Sequence, residues 1–198
     1  DAPQLAALGP DFGGALRGSG TLSGTMDTPS LTAAIEGQNI RAMGTQSVKA
    51  LKATANLGSG RGAADPLALD VSVTDYASTT TDKLGNVSET KIASARLTST
   101  GTRGAHTIQA AARGDTFDAA LAVHGGLTGN AWNGTVDSLK NTGRYAMTLA
   151  APTPLRIAGA PGTGLAGLAK PEQIAFSGAT IRLPAGSVTV ESLDRKST

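Results

Sequence analysis

Residues 67–74, Leu67-Ala68-Leu69-Asp70-Val71-Ser72-Val73-Thr74, alternate aliphatic side chains with small or polar ones without a break. A strand turns successive side chains to opposite faces, so Leu67, Leu69, Val71 and Val73 form one row and Ala68, Asp70, Ser72 and Thr74 the other. This period of two is the signature of a half-buried strand, and the β-branched valines favour it further.

The same rhythm recurs outward from this octet. Phe117, Ala119, Leu121 and Val123 alternate with Asp118, Ala120, Ala122 and His124. Weaker runs are Leu22/Gly24/Met26, Leu31/Ala33/Ile35, Leu51/Ala53/Ala55/Leu57, Tyr145/Met147/Leu149, Ile181/Leu183 and Val188/Val190. Turn-forming clusters separate them: Asp27 to Pro29, Glu36 to Asn39, Gly58 to Gly62, Lys83 to Asn86, Gly101 to Gly104, Gly125-Gly126, Lys140 to Gly143 and Pro184 to Gly186. The pattern predicts an all-β chain of successive antiparallel hairpins. Helix is expected only as one or two turns over Pro3 to Leu8 and at Gly164 to Ala169, the latter inside a Gly/Pro-rich stretch, 159–171, read as a loop. Residues 1–198 read as one β-rich segment of a longer protein.

Composition narrows the function. Aromatic residues make up 3% of the 198 residues, against 26 glycines, so the core rests on Ala, Leu, Val and Ile and is thin. The 17 basic and 15 acidic residues are scattered, which argues against nucleic-acid binding, because phosphate neutralisation needs clustered cations. With no cysteine, disulfides, thiolate metal sites and cysteine catalysis are excluded. No stretch of about 20 apolar residues is present to span a membrane as a helix.

Candidate chemical sites are weak. His106 and His124 are the only histidines, and no carboxylates stand at a spacing that would complete a metal set with both. The Gly58-Ser59-Gly60-Arg61-Gly62 loop lacks the dinucleotide fingerprint and reads as a flexible hairpin loop. Asp70/Asp75 and Asp115/Asp118 are near neighbours on strands and read as solvated, not as a glycosidase pair. Trp132 shares its parity with Gly134 and Val136 and is expected to pack inward beside a glycine that makes space for it. No enzyme, cofactor or metal is expected.

Gly18-Ser19-Gly20-Thr21-Leu22-Ser23-Gly24-Thr25, then Pro29-Ser30-Leu31, then Ile35-Glu36-Gly37-Gln38-Asn39-Ile40 resemble the Gly-x-Leu-x-Gly, Pro-x-Leu and Asn-Leu pattern of TamB-like proteins of the AsmA-like superfamily. In order there follow Leu97 to Thr102, His106-Thr107-Ile108, Leu121 to Gly125, Trp132-Asn133-Gly134-Thr135-Val136 and Pro152 to Ile157. This succession, roughly residues 16 to 190, resembles the interior of the family's long periplasmic region.

The resemblance implies an elongated antiparallel sheet curled into a taco-like trough with an apolar concave face. It implies a periplasmic location, with the parent protein anchored in the inner membrane. The implied task is carriage of phospholipid between the two membranes and outer-membrane biogenesis, with an outer-membrane barrel of the TamA/BamA type as partner. The expected lipid-groove residues are Leu22, Leu31, Ile35, Leu51, Leu67, Leu69, Val71, Val73, Phe117, Leu121, Val123, Trp132, Val136, Met147 and Leu149, with Ala53, Ala119 and Gly134 leaving room for acyl chains. The competing reading is a structural or adhesive β-repeat scaffold. A groove leaves its apolar rows open; a scaffold packs them dry.

Overall fold

The computed structural model describes residues 4–25, 28–159 and 171–196. A turn of 3-10 helix, Leu5–Leu8, precedes twelve strands. These are β1 (Gly13–Thr25), β2 (Thr28–Ala42), β3 (Gln46–Leu57), β4 (Leu67–Thr81), β5 (Val87–Gly101), β6 (His106–Arg113), β7 (Phe117–Thr128), β8 (Ala131–Gly143), β9 (Met147–Leu149), β10 (Thr153–Ala158), β11 (Gln173–Leu183) and β12 (Gly186–Lys196). All join one antiparallel sheet in chain order, except that β9 and β10 lie end to end in the single lane between β8 and β11. Pro152, just before β10, stands where that lane breaks, as expected of a residue with no N–H to give to a ladder. Among the described residues no helix is long and apolar enough to cross a membrane.

The sheet does not close: β1 pairs only with β2 and β12 only with β11. It curls instead. Leu67 on β4 packs against the buried cluster of Val123, Leu127 and Trp132 on β7 and β8. In a flat sheet β4 and β7 would stand about 14 Å apart, three inter-strand spacings. Side-chain contact across that interval requires the sheet to bend toward the face that carries these residues, which makes it the concave one.

The strands run longer than the turn clusters suggest. Glu36 to Asn39, Gly125-Gly126 and Lys140 to Gly143 are not turns but lie within β2, β7 and β8. The reversals after β2, β6 and β7 fall instead at Met43 to Thr45, Gly114 to Thr116 and Gly129-Asn130. Residues 164–169 lie outside the described part.

Local irregularities keep the apolar rows in phase over this length. Asn39 and Asp75 adopt positive φ, 51° and 49°, a conformation that Asn and Asp tolerate better than most residues. Beyond Asn39 the apolar row passes from odd to even positions: a Cβ on Gly37 would stand 3.3 Å from Ile40 Cγ1. Ile40 then aligns with Val48, Tyr76 and Ile92 across β2 to β5. In β8 Asp137 is an extra residue, since Val123 faces Val136 while Ala122 faces Ser138. That bulge returns Leu139 to the face of Val136.

Candidate functional site

Directly paired residues of an antiparallel ladder share a face, so the registers assign every expected groove residue. Leu22, Leu31, Leu57 and Leu67 form one line. Ile35, Ala53, Val71, Leu97, Ala110, Leu121 and Leu139 form a second. Leu51, Val73, Ala95, Ala112, Ala119, Asn141 and Met147 form a third. Leu69 heads a line through Ser99, Ile108, Val123 and Val136. Phe117, Trp132 and Leu149 have the parity of these lines within their strands. All the expected residues therefore stand on the concave face. Leu57, Leu97 and Leu139, absent from the expected groove residues, stand there too; alternation alone would have included Leu57 and Leu97, whereas Leu139 reaches this face only through the Asp137 bulge.

Large side chains flank small ones across this face. Ala95, Ala110, Ala112 and Ala119 lie between Val71, Val73 and Leu97 on one side and Leu121 and Leu139 on the other, and the hollow above them measures about 400 Å3. The rows are not dry. Leu22 is 74% exposed and Leu31, Ile35 and Leu97 are more than a third exposed, while no large side chain among the described residues is fully enclosed.

Among the described residues the buried apolar cluster lies on β7 and β8. Trp132 is 6% exposed and donates from Nε1 to His106 Nε2 at 2.8 Å. His106, equally buried, is therefore the neutral tautomer with its proton on Nδ1, which donates to the Thr102 carbonyl at 3.0 Å. The indole lies over Gly125 and Gly134: a Cβ on either would come within 2.7 Å of Trp132 Cζ2. Trp132 packs inward beside glycine as its parity predicted, but Gly134 leaves no room for a chain because the ring occupies that room. His124 falls on the opposite face, exposed, with Asp137 at 2.7 Å from its Nδ1.

That outer face is polar. Arg96 grips Asp70 with two bonds, 3.2 and 2.8 Å, and holds its carboxyl below the usual range. Lys52–Glu36, Lys49–Asp75 and Arg113–Asp118 are further exposed cross-strand or turn pairs; such pairs are worth about 0–1 kcal/mol each. A shallow saddle of about 600 Å3 on this side is floored by Thr21, Thr32, Thr54, Asn56, Asp70 and Thr98. Its lining mixes these polar groups with Ala33, Ala34, Ala55, Ala68 and Leu69.

The glycine loop after β3 is organised by its own acid. Asp65 Oδ2 accepts from Ser59 Oγ at 2.6 Å and from the amides of Arg61 and Gly62 at 3.1 and 3.0 Å, so a carboxylate already fills the place an anion would take. The Ser59 hydroxyl, then the Gly62 amide, hold the Asp65 carboxyl below its ordinary value of 3.8. A lowered folded pKa contributes order above 3.8 that is lost as pH falls through the folded value. Asp65→Asn is expected to lower the exchange protection factors of the Arg61 and Gly62 amides at neutral pH and to leave those factors independent of acid, whereas the wild type loses its protection as pH falls through the Asp65 pKa; wild-type protection in the variant would refute this account. Among the described residues no cluster of three metal-ligating side chains occurs.

A family model described as the TamB N-terminal domain matches residues 1–160. The chain belongs to the TamB family. No curated protein and no solved structure matches it. TamB is a component of the translocation and assembly module, where TamA is its partner, and the family is non-enzymatic, anchored in the inner membrane and extended across the periplasm. What this TamB segment shows is an open, one-sided sheet whose concave face is made mainly of apolar rows.

Proposed function

We propose that this segment is a stretch of a periplasmic lipid bridge, holding acyl chains in its apolar trough while phospholipid moves between the inner and outer membranes for outer-membrane biogenesis. In this reading the bridge delivers to an outer-membrane barrel of the TamA/BamA type. The carrying observation is the long apolar face left open on the concave side, with its large residues set around a floor of alanines. Exposed apolar surface costs about 25 cal/mol per Å2 in water. An acyl chain laid along the rows removes its own apolar surface and the protein's from solvent together, so a continuous trough lowers the barrier at every step.

The test is site-specific photocrosslinking in cells, with the probe in the full-length protein at Val71 or Leu121 and at Asp118 as the outward control. Phospholipid adducts are expected at the two inward sites alone. Protein adducts only, or none, would favour the scaffold reading.

A further inference from the structure

Arg103, in the turn between β5 and β6, shares a hollow of about 340 Å3 with Leu22, Leu31, Leu57 and Leu67 and with the loop after β3. Its backbone is fixed on two sides: its N–H donates to the Asp65 carbonyl at 2.7 Å and its carbonyl accepts from the Leu127 amide at 2.9 Å. Nη2 donates to the Gly129 carbonyl at 3.2 Å, whereas Nε is enclosed with no acceptor.

The charge is also unmatched. Lys49, Lys52, Lys91, Arg96 and Arg113 each have a carboxylate partner, while among the described residues Arg103, like several other cations such as Arg17 and Arg156, has none, and it differs from those in lining the leucine hollow. Asp65, the carboxylate that lines the same hollow, is engaged by Ser59 and by the amides of Arg61 and Gly62. A positioned guanidinium without a counter-charge, beside a leucine row, is complementary to an anionic group carried on apolar chains, of which a phospholipid is the membrane's abundant example. With Nε enclosed and one Nη2 proton given to Gly129, Nη1 and the second Nη2 proton are left to meet phosphate oxygens, a planar pair that a point charge does not offer.

We propose that Arg103 binds the phosphate of a phospholipid whose acyl chains lie on the row Leu22, Leu31, Leu57 and Leu67, making this end of the trough a headgroup station. The proposal rests on the lipid-bridge reading and deepens it by naming where the phosphate sits. Diacylglycerol satisfies only the leucine row, and inorganic phosphate satisfies only the guanidinium.

The experiment places a photoreactive residue at Leu31, or separately at Leu121, in the full-length protein and offers vesicles carrying labelled phosphatidylglycerol or labelled diacylglycerol. Arg103→Gln is expected to lower phosphatidylglycerol capture at Leu31 about tenfold, the scale of a lost charged hydrogen bond. Arg103→Lys is expected to lower it less, and neither to change diacylglycerol capture. Unchanged Trp132 emission verifies the fold of each variant, and Arg103→Lys carries the test if Arg103→Gln misfolds. Undiminished phosphatidylglycerol capture at Leu31 in the folded variants overturns the headgroup station while adducts at Leu121 leave the trough standing. No adducts at either probe site overturn both. A melting temperature raised by inorganic phosphate only when Arg103 is present, with lipid capture unaffected by its loss, assigns the site to free anions and also overturns the proposal.

Discussion

Trp132→Ala is expected to destabilise the β7–β8 end of the sheet by about 3–5 kcal/mol, the usual cost of emptying a buried aromatic site. The indole is the one large ring among the residues of the packed cluster, and Val123, Leu127, Leu67, Ile108 and Leu155 are gathered around it. Its loss removes the filling above Gly125 and Gly134 and leaves His106 Nε2 buried without a donor. Trp132→Phe separates the two effects: it keeps most of the ring but orphans the imidazole, at about 1–3 kcal/mol. Gly134→Ala tests the same packing from the other side, since the added Cβ would stand 2.5 Å from Trp132 Cη2 and closer still to the His124 carbonyl. Overpacking of this kind costs about 1–3 kcal/mol, more when backbone must move. Urea denaturation followed by far-UV circular dichroism measures all three, because Trp132→Ala removes the only tryptophan. A midpoint for Trp132→Ala within error of the wild type would show that this cluster does not hold the curl.

The curl depends on contacts that alternation cannot reveal. Period two assigned Leu67, Val71, Leu121 and Val136 to one face, and hairpin succession set the lane order, because both are local consequences of strand geometry. Local composition also misled. Gly125-Gly126 read as a turn because glycine punctuates chains, yet Gly125 is needed where Trp132, seven positions on, lays its ring. Glu36 to Asn39 read as a turn because Gly37 and Asn39 are turn-forming residues; Asn39 does take a turn-like positive φ, but as a kink within a strand whose neighbours stay paired. Met43 to Thr45 turns the chain with one glycine and no proline, too little signal to flag. The His106–Trp132 bond and the placing of Arg103 beside the leucine row join residues far apart in sequence. Only the three-dimensional curl sets those partners together.

Val71→Asp is expected to cut lipid capture in the trough by more than tenfold while changing the stability of the free protein far less, and Leu121→Asp to cut capture as strongly but to lower stability too, because Leu121 packs against the Val123, Leu127 and Trp132 cluster. Both side chains border the 400 Å3 hollow, and both are half-buried, not enclosed. In the open trough a new carboxylate stays in contact with water, so its charge is tolerated. An acyl chain laid over it would strip that water, and desolvating an unpaired carboxylate costs several kcal/mol, more than the chain gains from the few methylenes it buries there at about 0.8 kcal/mol each. Asp118→Asn, on the outer face, removes only the 2.7 Å pair with Arg113, worth at most about 1 kcal/mol, and should leave capture intact. The comparison separates a trough from a scaffold because the two place the penalty differently. In a scaffold the aspartates would act on a dry core and lower the melting temperature with no lipid-dependent component. In a trough Val71→Asp, outside the packed cluster, spares the melting temperature and abolishes adducts at probe sites along the row. Equal lipid capture by all three variants at equal protein level would remove the case for a lipid-lined surface.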